Sequence, residues 1–197
     1  MSDLTPEQRL FLSSDAALRE VIDQISATDL DQPAPEEWTT AKIGSVRGVV
    51  AAHTSDEAWV PDVLAGKTIN EVGTVWKGDL SGGDPVASYD HYNDLATAAA
   101  SQPLAEGQVA HLSYGDYPVA VFLQHTSFYR GFQAPLIAKL LDIPFVMSDE
   151  LIDLLWGAVE PQLDDLRAIG VFGPAVDVPD DASRETRLLG ITGFWKQ

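Results

Sequence analysis

The chain has 197 residues, enough for one hydrophobic core without disulfides or a structural metal. Its 12 basic and 30 acidic residues give a formal charge of −18 at pH 7, which argues against a nucleic-acid backbone or an anionic membrane surface as partner. The absence of cysteine removes protein-thiol catalysis, iron–sulfur clusters and thiolate zinc sites together. No window is apolar enough to span a bilayer and no basic, apolar leader pattern opens the chain, so a cytoplasmic protein is expected.

The first helix begins at Thr5-Pro6-Glu7-Gln8, where Thr caps, Pro occupies the first helical position and Gln completes a capping box. Leu10, Phe11, Leu18, Val21, Ile22 and Ile25 then recur at helical intervals, predicting a buried face over residues 6–26. A loop with two prolines runs to Trp38. Thr39 or Thr40 can cap a second helix through Ile43, Val46, Val49, Val50 and His53 to about Trp59, with Pro61 bending or ending it.

Residues 64–86 are rich in glycine and polar turns and read as a long loop of the kind that covers a pocket. A third helix is predicted over residues 84–101, with Tyr89, Tyr92, Leu95 and Ala99 on one side. After a short extended piece at Val109-Ala110-His111-Leu112, Asp116 can cap a fourth helix that reaches about Leu141 and is kinked by Pro135. Ser148 opens a fifth, with Leu151, Leu154, Leu155, Val159, Leu163, Leu166 and Ile169 as its apolar side, interrupted by Pro161 and closed by Gly170. Residues 172–179 read as extended, and a last short helix follows Ser183.

Four long amphipathic helices with loops between them predict an all-α fold, a helical bundle whose site is built from facing helices. Residues 1–145 would form the bundle, and residues 146–197 a C-terminal extension of helical and extended pieces packed across it. Nothing in the sequence points to an oligomer, though a homo-oligomer is compatible with it.

His53 is the first candidate functional residue, because it stands on an apolar helix face in a chain with only four histidines. It is either one ligand of a site or a buried imidazole that donates to a carbonyl or to the Tyr129 hydroxyl. Glu57 follows one turn later and could ligate beside it, and Trp59 could wall a pocket. His91 and His111, in or near loops without partners at ligand spacing, read as solvated. Arg130 is expected to pair with an acidic neighbour.

Several segments resemble one family. Val49-Val50-Ala51-Ala52-His53, then Glu57-Ala58-Trp59-Val60-Pro61 and Leu64-Ala65-Gly66-Lys67-Thr68, look like the second helix of DinB-like bundles, the group that includes mycothiol-dependent maleylpyruvate isomerase. Trp38, Gly78-Asp79-Leu80, Leu112-Ser113-Tyr114-Gly115-Asp116 and Phe172-Gly173-Pro174 ahead of Arg187-Leu188-Leu189-Gly190 resemble the same actinobacterial-type proteins in order and spacing.

The resemblance implies a divalent metal, zinc or nickel, held by the second-helix histidine with an acid and a second histidine one turn apart on the fourth helix. It places His53 on the first position. Laid without gaps through Phe122-Leu123 and Ile137-Ala138-Lys139, the pattern puts Tyr129 on the acid and Gln133 on the second histidine. A phenol with a pKa of roughly 10 is a poor ligand at neutral pH, and a neutral amide oxygen suits calcium or magnesium better than zinc. His125 or Glu57 could restore a ligand, although two turns separate His125 from Gln133.

Two function classes follow. One is a metal-dependent enzyme that activates a small-molecule thiol such as mycothiol near His53. The other is a metal-free, non-catalytic bundle that binds a small ligand or a partner, with Trp59, Tyr129 and Gln133 as binding residues.

Overall fold

The computed structural model describes residues 4–38 and 44–195. The protein is all-α apart from one small hairpin. Its elements are α1 (Pro6–Ile22), α2 (Val46–Leu64), the four-residue α3 (Ile69–Val72), α4 (Pro85–Ala100), strands β1 (Val109–Leu112) and β2 (Gly115–Pro118), α5 (Val119–Leu141), α6 (Asp149–Val159), α7 (Leu163–Ala168) and α8 (Arg184–Thr192). None of the described helices is long and apolar enough to cross a membrane.

Local signals account for most helix starts. The α1 capping box forms as predicted, the Thr5 hydroxyl accepting from the Gln8 amide and the Gln8 side chain accepting from Thr5. The predicted caps of α2, Thr39 and Thr40, lie outside the described residues together with Ile43, and Ser45 caps the helix instead. Pro61 does not end α2, which continues to Leu64. Proline forfeits only one amide bond there, and Val60 and Val63 are buried on the same turns. The long loop is not wholly irregular, since Thr68 and Glu71 form a second capping box on α3.

Other expectations are corrected. On α4 the buried positions are Tyr89, Asn93, Ala96 and Ala100, while Leu95 is 44% exposed. The face rotates because Asn93 is satisfied inside, accepting from Arg19 Nη1 (3.1 Å) and donating to the Tyr89 hydroxyl (3.3 Å). Asp116 is not a helix cap. Residues 115–118 pair antiparallel with β1, closing a two-residue turn at Ser113-Tyr114, and Asp116 stands opposite His111. His91 sits within α4 rather than in a loop, and Ile169 is 71% exposed rather than part of an apolar side. Pro161 divides the fifth predicted helix into α6 and α7, joined by a 3-10 turn.

Helix α1 lies along α5 and α2 along α4, with further contact between α1 and α4. Helix α5 is enclosed, with Phe122, Phe128, Arg130, Phe132, Ala134 and Ile137 all buried. Gly131 lets α1 and α6 approach it closely: a Cβ there would meet Ser14 Oγ at 3.1 Å and Leu155 at 3.2 Å. The segment after residue 146 shares the main core through Met147, Leu151, Leu155, Phe172 and Leu188. Phe172 packs its ring against Phe128, Phe132 and Phe194, which fastens the C-terminal segment to α5.

The apolar interior divides in two. One cluster holds Leu18, Val50, Tyr89 and Phe128, and the other, towards the hairpin, holds Phe11, Val60, Ala96 and Leu123. Along α1, α2 and α4 buried polar residues fall between them, Asp15 on α1, His53 and Glu57 on α2 and Asn93 on α4, and the buried Arg130 of α5, set between Phe128 and Phe132 of the first cluster, reaches Asp15 and Glu57. The candidate site is built on this polar layer.

Candidate functional site

Helical spacing sets the layer's two sides. On α2, His53 and Glu57 are one turn apart and both fully buried, while Asp56, on the far side of His53 from Glu57 around the helix, faces outward. On α5, His125, Tyr129 and Gln133 recur every four residues, with Arg130 turned inward beside them.

His53 and Tyr129 meet as rings, not through a hydrogen bond. Their centroids are 4.3 Å apart and their planes 24° from parallel, and neither ring nitrogen of His53 has a hydrogen-bond partner among the described residues. Burial, reinforced by the Arg130 charge, pushes the His53 pKa down to about 3, so its imidazole is neutral at physiological pH. The Tyr129 phenol is pushed up to about 12, first by burial and then by Asp56, and keeps its proton.

Glu57 is committed elsewhere. Arg130 Nε donates to Glu57 Oε1 at 2.7 Å and to Asp15 Oδ1 at 3.2 Å, all three side chains being fully buried, and Arg130 Nη1 reaches the Thr126 carbonyl at 3.2 Å. Thr97 Oγ1 donates to the second Asp15 oxygen at 2.8 Å. Burial and the neighbouring Glu57 raise the Asp15 pKa well above the usual carboxylate range. Burial works against the Arg130 charge, but Glu57 and Asp15 more than offset it. The group thus sets one guanidinium between two acids.

The sequence indicates that Arg130 needs an acid, but Asp15 as its second partner emerges only in three dimensions. A signal was present, since Asp15 interrupts the α1 stripe between Phe11 and Leu18. An acid on an apolar helix face calls for a buried partner.

Two cavities adjoin this layer. The larger, about 550 Å³, opens between α2, the N-terminal half of α5 and the hairpin, and is lined by Asp56, Trp59, Tyr114, Phe122, His125 and Tyr129 among others. The smaller, about 290 Å³, lies towards the C-terminal segment and is lined by Trp38, Gln133, Phe132 and Phe172. His125 and Tyr129 belong to both walls. Gln133 Nε2 is buried there without a partner. His111 lines the larger cavity and is held by Asp116, Nδ1 to Oδ1, at 2.8 Å. A groove of about 830 Å³ between the C-terminal half of α5 and α8 is lined by Trp38 and Pro135 but by none of the candidate ligand or binding residues.

A bound divalent metal would need three converging donors. Tyr129 covers His53, Glu57 is bonded to Arg130, and His125 and Gln133 are two turns apart. Among the described residues no three His, Cys, Asp or Glu side chains converge, so the set as placed does not fit a metal ion. Burial lowers the His125 pKa and favours its neutral form. Comparisons with protein-family models, curated proteins and solved structures found no match to this chain.

Proposed function

We propose that the chain binds a small organic molecule, without a metal ion, in the cavity walled by Trp59, His125 and Tyr129. In this reading its long helices form a DinB-like four-helix bundle, related to the mycothiol-dependent maleylpyruvate isomerases, in which Tyr129 and Gln133 replace the metal ligands. The pairing of α1 with α5 and of α2 with α4 supports the bundle.

The observation that carries the reading is the Glu57–Arg130 contact of 2.7 Å. A guanidinium that cannot lose its proton supplies the positive charge this layer requires, and it takes up the carboxylate nearest His53 on its helix. What remains open to a ligand is a concave, largely apolar surface with aromatic side chains and a few polar groups, the usual make-up of a small-molecule site. Trp59 offers an apolar wall and Tyr129 a protonated phenol, while Gln133 offers an amide donor in the adjoining chamber.

The test is a ligand-observed NMR screen of small aromatic and aliphatic compounds against the whole chain, repeated on Trp59→Ala and Tyr129→Ala. Hits whose signals recover in both variants would support the site. Hits indifferent to both would place binding elsewhere.

The thiol-activating reading has one observation in its favour: both ring nitrogens of His53 are buried and unpartnered. Stoichiometric zinc or nickel in protein purified without chelator or affinity tag, lost in His53→Ala, would establish that reading in place of ours.

A further inference from the structure

The larger cavity, taken as the binding site, has a charge pattern that narrows what it can hold, and the inference below rests on that reading. Asp56 neighbours Glu57 in sequence but points the other way around α2. Glu57 turns into the core to meet Arg130, whereas Asp56 lines the cavity, reached by solvent and making no hydrogen bond or salt bridge with a described residue. Lys77 and His111 stand on the same wall without pairing with it. Arg130 acts on the Asp56 carboxylate from behind, but its charge is already matched by Glu57 and Asp15.

Aromatic rings line the same cavity as the carboxylate. Trp59 follows on the next turn of α2, Tyr129 approaches from α5 and Tyr114 from the hairpin turn. Both phenols respond to Asp56: burial is the main cause of their raised pKa values, and the Asp56 charge adds to it in each. One carboxylate therefore lies within electrostatic reach of rings from two other elements.

The faces of such rings carry negative electrostatic potential and attract cations, Trp most strongly. Carboxylate and rings favour the same sign of ligand. An anionic ligand would find Lys77 on this wall but would meet repulsion from Asp56 and none of the ring attraction, and a neutral one would gain only contact area. The surplus of acidic residues over the whole chain adds a long-range bias in the same direction. Burial also raises the Asp56 pKa, so an ammonium beside it would relieve a charge that the protein leaves partly unsolvated.

We infer that the cavity takes a small amphipathic amine, with its ammonium against Asp56 and its apolar portion against Trp59, Tyr114 and Tyr129.

Three probes of one shape and different charge test this by isothermal titration calorimetry on the full chain: 4-phenylbutylamine, 4-phenylbutan-1-ol and 4-phenylbutyrate. The amine should bind tighter than the alcohol by about tenfold or more, equivalent to about 1.4 kcal/mol, with the carboxylate weakest. Asp56→Asn, a change at a solvent-reached position, should remove the amine's advantage and leave the alcohol's affinity unchanged. Trp59→Ala should weaken both. If the alcohol or the carboxylate binds as tightly as the amine, or if Asp56→Asn leaves the amine unaffected, the charge selection is wrong while the cavity remains a binding site. If none of the three binds, the binding-site reading falls with it.

Discussion

Replacing Arg130 by methionine should be among the most damaging single changes in the protein. The side chain is fully buried and donates from Nε to two carboxyl groups at 2.7 and 3.2 Å and from Nη1 to the Thr126 carbonyl. Hydrogen bonds to charged groups contribute about 1.5–3 kcal/mol each, so losing the two to Glu57 and Asp15 alone suggests about 3–6 kcal/mol. Breaking a buried ion pair by deleting one partner costs about 3–5 kcal/mol, mostly because the remaining charge is stranded. Against a total of about 5–15 kcal/mol for a domain of ordinary stability, that is a large fraction. Urea unfolding followed by tryptophan fluorescence should show the midpoint falling at constant slope. The companion variant Asp15→Leu/Glu57→Met/Arg130→Met strands no charge and should recover most of the loss. A single-variant cost below about 1 kcal/mol, or a triple variant no better than the single, would refute the account of the layer as a matched charge group.

His53 should contribute a distinct pH dependence. Its folded pKa of about 3 lies below the ordinary 6.5, so its share of stability is complete above pH 6.5 and is lost as pH falls towards 3. The slope should approach about 1.4 kcal/mol per pH unit within that window and vanish in His53→Phe, and an unchanged slope there would assign the effect to other groups. Asp15 has the opposite sign: its raised pKa means the folded protein keeps a proton that the unfolded chain releases above the ordinary 3.8, so stability falls as pH rises from there, and Asp15→Asn should flatten that trend in the same titration. Gly193 holds φ at +81°, and a Cβ there would meet the Pro174 carbonyl oxygen at 2.9 Å, so Gly193→Ala should cost about 1–3 kcal/mol in thermal or urea unfolding. Truncation before Ser148 removes Leu151, Leu155 and Leu188 from the main core, and a truncated chain that stayed monodisperse and folded by light scattering and circular dichroism would show that the core does not need them.

What could be read from the sequence was local. The Thr5 capping box, the α1 stripe and the run of α5 through Pro135 follow from residues within a few positions of one another. The α4 face was misjudged because a periodicity argument gives Leu95 priority over Asn93, whereas the fold buries the amide by giving it Arg19 and Tyr89 as partners. The hairpin was half seen: β1 has a strand's composition, but Asp116 carries the same chemistry whether it caps a helix or faces a histidine across a strand pair. At the site, His53, Trp59 and Tyr129 were marked, and they do lie around one region. The Arg130–Asp15 contact spans 115 residues of chain, and no local pattern encodes a pairing at that separation. It also decides what Glu57 can do, so the ligand role suggested by its spacing from His53 could not be judged from helix geometry alone.

Tyr129 has two neighbours to serve at once. With His125 it lines both chambers, and its ring covers the His53 imidazole. Shortening that side chain would remove part of the wall the two chambers share. The same change would wet the imidazole and let its titration return towards that of a free histidine. The shape of the chamber wall and the proton affinity of the imidazole thus depend on the same side chain, and variation at this position would alter both together.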